Sequence, residues 1–244
     1  MAEIQFVGTG DAFGSGGRRN TAILVRDRGR TLLLDCGPTT LMGLKQLGID
    51  PREIDTIALS HFHGDHVAGV PFLLIDYLFE DRRQTPLQIV GPPGVQERIE
   101  TTTKLFHYSN LAPPRYKLGF REFTTHEPLK LPGFSITPLP AVHQQDTNPH
   151  MLRVQTDDRT LLFTGDTGWH DDLPRHVGSA DLFISECVFM ERTFEFHLNH
   201  ERLHAERERF DCERIILTHL GAEVLDSLDR VEFETASDGL EIGL

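Results

Sequence analysis

Ser60-His61-Phe62-His63-Gly64-Asp65-His66 follows directly on the apolar run Ile57-Ala58-Leu59 and puts three imidazoles and a carboxylate into six consecutive positions. Burying such a set unpaired would cost several kcal/mol, and a solvated turn has no use for three imidazoles. Imidazole and carboxylate are the usual ligands of zinc, iron and manganese. The pattern H-x-H-x-D-H suits two ions better than one. Alternate residues of a strand end and its turn can serve the first ion, and the adjacent Asp-His pair the second.

Other candidate ligands share this context. His143 follows Phe134-Ser135-Ile136-Thr137-Pro138-Leu139, Asp166 follows Leu161-Leu162-Phe163-Thr164-Gly165, and His219 closes Arg214-Ile215-Ile216-Leu217-Thr218. Each terminates a short β-branched or apolar run, the signature of a buried strand. Ligands at strand ends sit on rigid elements and converge on one rim of a sheet.

With these motifs the chain resembles the metallo-β-lactamase superfamily over nearly all of its length. The resemblance implies an α/β fold, a four-layer αββα sandwich of two mixed sheets, with a two-metal site on one rim. Carried over by motif, His61, His63 and His143 resemble the first metal's ligands. Asp65, His66 and His219 resemble the second's, and Asp166 the carboxylate bridging both. An aspartate there, where the main zinc β-lactamases carry cysteine, is similar to the hydrolase and phosphodiesterase branches.

A leaving oxygen needs a proton, and metal ligands are poorly placed to give one. An imidazole with a pKa near ~6.5 suits that role. In tRNase Z and in the cyclic-ribose phosphodiesterases of phosphonate catabolism, a histidine recurs at a place that His197-Leu198-Asn199 resembles, ahead of the last metal histidine. Glu186, in Ile184-Ser185-Glu186-Cys187, resembles the carboxylate that supports it, although Ser185 stands where tRNase Z usually has a second histidine. His200 is the rival donor. His197, Glu186 and Asp65 form the expected catalytic set. Asp35, ending Thr31-Leu32-Leu33-Leu34, is placed to orient a ligating imidazole or to act as a turn or cap residue. The other histidines lack a strand-end context, and surface or packing roles are expected; His150 is the one nearest to lining a pocket.

The segment Gly8-Thr9-Gly10-Asp11-Ala12-Phe13-Gly14-Ser15-Gly16-Gly17-Arg18-Arg19-Asn20 follows a strand and leads into another, so it is no dinucleotide fingerprint. Either it offers backbone N–H groups to an anion or it is a turn packed beside the site. Arg18 and Arg19 contact a phosphate or are solvated, with solvation expected for at least one.

The chain has 244 residues, with 24 Lys+Arg against 37 Asp+Glu and a formal net charge of −13. That length can bury a substantial core, and a single set of ligands spread along it favours one domain spanning 1–244. The net charge repels polyanions and counts against a dedicated nucleic-acid binder, though a local basic patch can act against it. No apolar stretch reaches the ~18–20 residues that span a bilayer, so no membrane partner is expected. Met1-Ala2-Glu3-Ile4-Gln5-Phe6 lacks the pattern of a signal peptide. Cys36, Cys187 and Cys212 are scattered, which fits reduced packing thiols and a cytoplasmic location. A homodimer is a further expectation.

Segments Ile4–Val7, Thr21–Val25 and Thr31–Asp35 read as an opening strand meander, with Asp27-Arg28-Gly29-Arg30 as a hairpin turn. Leu41, Leu44 and Leu47 recur at helical spacing before Gly48. Val67–Glu80 reads as a helix that tolerates Pro71 near its first turn, and Glu201–Arg209 as another. Val231–Glu234 and Leu240–Ile242 read as two short closing strands.

Two divalent ions, zinc first and manganese or iron as alternatives, would lower the pKa of a shared water toward ~7 and supply a bridging hydroxide. The expected reaction is hydrolysis of a small phosphodiester, cyclic or nucleotide-like. A tRNA 3′-processing endoribonuclease is the alternative, needing a basic groove from Arg18, Arg19, Lys104, Arg115 and Lys117. A carboxyl-ester, lactone or thioester hydrolase is another. Full tRNase Z enzymes carry a tRNA-gripping arm between the motifs that here hold His143 and Asp166. Strands expected at Met151–Thr156 and Thr160–Thr164 leave no room for one.

Overall fold

Strands that are apolar on both faces must be covered twice, and here two sheets lie back to back with helices outside each. The computed structural model describes residues 2–80, 82–107 and 114–244. The first half contains β1 (Glu3–Gly8), β2 (Ala22–Asp27), β3 (Arg30–Leu34), α1 (Thr40–Gln46), β4 (Thr56–Ala58), α2 (Gly64–Val67), α3 (Val70–Phe79), β5 (Leu87–Gly91), α4 (Val95–Leu105) and β6 (Leu118–Glu122). The second contains β7 (Leu129–Leu131), β8 (Phe134–Pro140), β9 (His150–Gln155), β10 (Thr160–Phe163), α5 (Leu173–Val177), β11 (Ala180–Glu186), α6 (His200–Ala205), β12 (Cys212–Thr218), α7 (Ala222–Leu225), β13 (Glu234–Thr235) and β14 (Glu241–Gly243).

Among the described residues each sheet has seven strands, ordered β14-β1-β2-β3-β4-β5-β6 and β13-β12-β11-β10-β9-β8-β7. Both are mixed: β3, β4, β5 and β6 run parallel, as do β10, β11, β12 and β13. The alternation of strand side chains then builds three cores. Ile23, Val25, Leu32 and Leu34 meet Ile136, Leu152, Phe163 and Ile184 between the sheets. Leu24 and Leu33, one position out of phase, pack with Leu44 of α1, Leu73 of α3 and Ile99 of α4. On the other side Leu162, Phe183 and Leu217 pack with Leu173, Leu203 and Val224 of α5, α6 and α7. Each such buried side chain stabilises the fold by about 1.5–3 kcal/mol. This is the expected αββα sandwich. No helix among the described residues is long and apolar enough to cross a membrane.

The β2–β3 hairpin closes through Arg28 and Gly29, both at positive φ (48° and 75°), as a two-residue loop matched to strand twist requires. Three expected elements differ in detail. The helix read over Val67–Glu80 is two helices broken at Ala68-Gly69. A Cβ on Gly69 would lie 2.1 Å from the Gly37 carbonyl oxygen, so the chain passes too close there for a side chain, and Pro71 sits in the first turn of the new helix α3. The helix read over Glu201–Arg209 begins at His200, because the Asn199 side chain accepts from the Arg202 N–H at 2.7 Å; its last turn, Arg207–Arg209, is 3₁₀. The first closing strand is Glu234–Thr235, pairing with β12, whereas β14 pairs with β1 in the other sheet.

Candidate metal centre

The parallel strands point their C-terminal ends at one rim, where ligands of α/β sheets gather. Asp35 follows β3, the 60–66 stretch follows β4, Asp166 follows β10, Glu186 ends β11 and His219 follows β12. His143 reaches the same rim from the loop after β8. The sheets are tied there by Phe62 N–H to the Thr147 carbonyl, 3.0 Å, and His150 N–H to the Ser60 carbonyl, 3.0 Å. All seven expected ligands therefore meet.

They form two groups that share one residue. His61, His63, His143 and Asp166 offer ligand atoms within 4.8 Å of one another, as do Asp65, His66, His219 and Asp166. Asp166 directs Oδ2 at the first group, 3.7 Å from His61 Nε2 and 3.9 Å from His143 Nε2. Its Oδ1 faces the second, 3.2 Å from His66 Nε2 and 3.6 Å from His219 Nε2.

The outer nitrogen of each imidazole is occupied, which fixes the tautomer. His66 Nδ1–H donates to Asp35 Oδ2 at 2.7 Å. Ser60 Oγ donates to the same oxygen at 2.8 Å, so it must accept from His61 Nδ1–H at 3.0 Å. His143 Nδ1–H donates to the Phe196 carbonyl at 2.9 Å, His63 Nε2–H to Gln144 Oε1 at 3.2 Å, and His219 Nδ1 pairs with Thr21 Oγ1 at 2.9 Å. What remains is a set of inward lone pairs: His61 Nε2 and His143 Nε2 stand 3.2 and 3.0 Å from His63 Nδ1 with no proton between them. Asp65 Oδ2, His66 Nε2 and Asp166 Oδ1 are buried without a hydrogen-bond partner. Converging lone pairs and orphaned buried oxygens fit divalent cations.

Electrostatics separate the groups. Burial drives the His61 imidazole well below its usual range, and takes His143 down to about 4. For His66 burial acts the same way, but Asp166, Asp65 and Asp35 together outweigh it and hold the imidazole well above its usual value. Asp35 and His219 also adopt left-handed backbone, φ 56° and 53°, a conformation that costs of order 1–3 kcal/mol in a non-glycine residue and collects at functional sites.

Beside the metal groups, His197 Nδ1–H donates to Glu186 Oε1 at 2.8 Å, and Glu186 Oε1 also accepts from Thr167 N–H at 2.9 Å. Asp166, Glu186 and His197 form a third close group. Burial lowers the His197 imidazole, but the charge and hydrogen bond of Glu186 outweigh it and raise it to about 9. His200 lies elsewhere: its Nε2 accepts from Glu232 N–H at 3.2 Å and its ring packs on Phe233. His150 is engaged by Thr125 Oγ1 at 3.0 Å and the Asn148 carbonyl at 2.9 Å.

The glycine-rich segment is a wall of the site. Asp11 takes up the Phe13 and Ser15 N–H groups and the Ser15 hydroxyl, which leaves them no role toward an anion. Neither arginine is simply solvated. Arg18 donates to Thr9 Oγ1 and the Ala236 carbonyl; Arg19 donates to the Val7 carbonyl and pairs with Asp238. Of the basic groove that the nuclease alternative would need, Lys117 lies apart, lining a cavity at the opposite rim with Arg30 and Asp55. Thr21, Gln144, Thr167 and the Phe196 carbonyl were invisible to sequence reasoning: hydroxyls, amides and carbonyls occur everywhere, and only the fold brings them to an imidazole or carboxylate.

Residues 2–235 match the family described as Anti-Pycsar protein Apyc1. Ribonuclease Z of Mycobacterium bovis (strain BCG / Pasteur 1173P2) is 28% identical over 199 residues, 77% of this chain and 71% of the relative. The crystal structure of the metallo-β-lactamase fold protein YhfI from Bacillus subtilis has a TM-score of 0.81 at 22% identity, covering 100% of both chains. Human tRNase Z, short form (ELAC1), has a TM-score of 0.80 at 22% identity, covering 99% of this chain and 98% of its own. Such identities speak for the fold alone. By match, fold and donor set, the chain belongs to the Anti-Pycsar protein Apyc1 family and is a metal-dependent hydrolase of the metallo-β-lactamase superfamily.

Proposed function

We propose that the protein, acting as a single domain, is a binuclear phosphodiesterase for small phosphodiesters, cyclic or nucleotide-like, with zinc as its metal. The observation that carries the substrate size is the segment between His143 and Asp166. It is used up by a 3₁₀ turn, β9, a turn at 156–159 and β10, which leaves no protruding arm to grip a folded RNA. The inward pairing of Arg18 and Arg19 supports the same reading.

Bound at the two groups, divalent cations would lower the pKa of a shared water and polarise a phosphoryl oxygen. The residues contribute the rest. Asp166 holds one carboxylate oxygen toward each group. Asp35, Thr21, Gln144 and the Phe196 carbonyl keep the imidazole lone pairs inward. His197, held by Glu186, carries a proton at neutral pH and gives it from Nε2 to the departing oxygen. Cations at the two groups would oppose a positive imidazolium and lower the His197 pKa from about 9 toward neutral pH.

The test is a hydrolysis panel on metal-replete protein. Bis(p-nitrophenyl) phosphate and a dinucleoside phosphodiester or cyclic nucleotide should turn over, while pre-tRNA and lactones should not. Correctly placed 3′ cleavage of pre-tRNA at a comparable rate would move the assignment to the activity named for the mycobacterial relative.

A further inference from the structure

Phe194-Glu195-Phe196-His197 is a tight reversal in which Phe194 and His197 pair antiparallel across the two central residues. Residues directly opposite in such a pair put their side chains on one face. The phenyl ring of Phe194 lies nearly parallel to the His197 imidazole, 16° between planes and 5.8 Å between centroids. The imidazole is in turn parallel to His219, at 16° and 6.1 Å. Both spacings fall in the offset-stacking range of roughly 4.5–7 Å.

The hydrogen bond to Glu186 fixes His197 Nδ1, but coupled changes of the two side-chain torsions can still tilt the ring about that atom. That tilt is limited by the rings around it: His219 and Phe194 lie parallel to the imidazole, and His143 and Phe189 meet it in T-shaped contacts at 5.1 and 6.4 Å. Phe194 is 40% exposed, so it contributes little to any core. It is nevertheless held: the Arg192 guanidinium spans Phe189 at 4.9 Å and Phe194 at 5.8 Å, and Asn199 Nδ2 donates to the Arg192 carbonyl at 3.0 Å. The same reversal reaches the metal groups, since the Phe196 carbonyl accepts from His143 Nδ1. Its seat is cut to shape: a Cβ on Gly168 would lie 1.8 Å from the Glu195 carbonyl oxygen.

We propose that Phe194 is a positioning residue that holds the His197 imidazole in its working plane, and that the 194–197 reversal aligns the proton donor with His143 as one unit. This rests on the reading of His197 as proton donor. The test compares Phe194→Ala, Phe194→Leu, Phe194→Tyr, His197→Ala and the Phe194→Ala/His197→Ala double variant. Each is assayed on bis(p-nitrophenyl) phosphate and on a dinucleoside phosphodiester, with metal content and Tm measured in parallel.

Phe194→Ala should lose roughly tenfold in kcat where an alkoxide leaves and about twofold or less where p-nitrophenolate leaves, as expected for a misaligned group. Metal content and Tm should hold. Phe194→Tyr should restore the rate, Phe194→Leu should not, and Phe194→Ala should add nothing to His197→Ala. Equal losses on both substrates, wild-type rates in Phe194→Ala, or full activity in Phe194→Leu would overturn the positioning role while leaving the donor in place. Absence of a leaving-group effect in His197→Ala itself would overturn the donor reading and this inference with it.

Discussion

The two halves of the candidate metal centre use the same kinds of residue but differ in charge. The half around His61, His63 and His143 sets two buried imidazoles, His61 and His143, that burial holds neutral, beside the half-buried His63, with Asp166 as its single carboxylate. The half around His66 and His219 has two carboxylates, Asp65 and Asp166, with Asp35 pressed against His66 from behind. The first half presents lone pairs ready for a cation. In the second, Asp166, Asp65 and Asp35 surround His66 and favour a proton on it, which a cation bound there would displace. Burial decides protonation in one half and neighbouring charge decides it in the other.

Asp166 is the residue both halves need, so its removal should have the largest effect. Asp166→Ala should lose at least one ion and nearly all hydrolytic activity. Metal analysis finding two equivalents retained would end its role as the shared ligand and make the halves independent.

Asp35 supports both halves, directly through His66 and by way of Ser60 through His61, whereas Thr21 supports only His219. Loss of such outer partners commonly costs about 10–100-fold in metal affinity. Asp35→Asn should therefore weaken both binding steps in a competition titration with a chelator, and Thr21→Val one step, by about tenfold or less. A Thr21→Val effect on both steps, or none from Asp35→Asn, would contradict the division.

The halves should also respond oppositely to pH in metal-stripped protein. His143 titrates at about 4 when folded and near ~6.5 when unfolded. Its neutral burial thus stabilises fully above pH ~6.5 and is lost as pH falls toward 4, a change on the order of 3 kcal/mol. His66 is raised on folding, so its contribution is complete below pH ~6.5 and disappears as pH rises through its elevated folded value. Urea denaturation across pH 4–9 should show His143→Gln flattening the acid limb and His66→Gln the alkaline one. An unchanged acid slope in His143→Gln would show that the imidazole is not held neutral by burial.

The candidate ligands, which the fold brings together, stood out in the sequence because a metal site concentrates rare chemistry. Three imidazoles in Ser60–His66, and His143, Asp166 and His219 at the ends of apolar runs, serve little purpose in a folded chain except to hold cations. The α/β class was legible in the alternation of strands and helices, and the sandwich through the resemblance that the motifs carry; strands such as Leu32–Leu34, apolar at consecutive positions, are indeed covered on both faces. Local signals failed where chain meets chain. Gly69 breaks a helix because of Gly37, residues that are neighbours only after folding. His200, three residues from His197, faces Glu232 because α6 turns it away from the rim. The glycine-rich segment carried two readings in its sequence, and Asp11, with the distant Asp238, decided between them. Composition and period report what a segment must bury. Which hydroxyl meets which imidazole, and which oxygen of Asp166 faces which group, depends on strand order and register across two sheets. Those are set by long-range packing that the residues nearby in the chain do not encode.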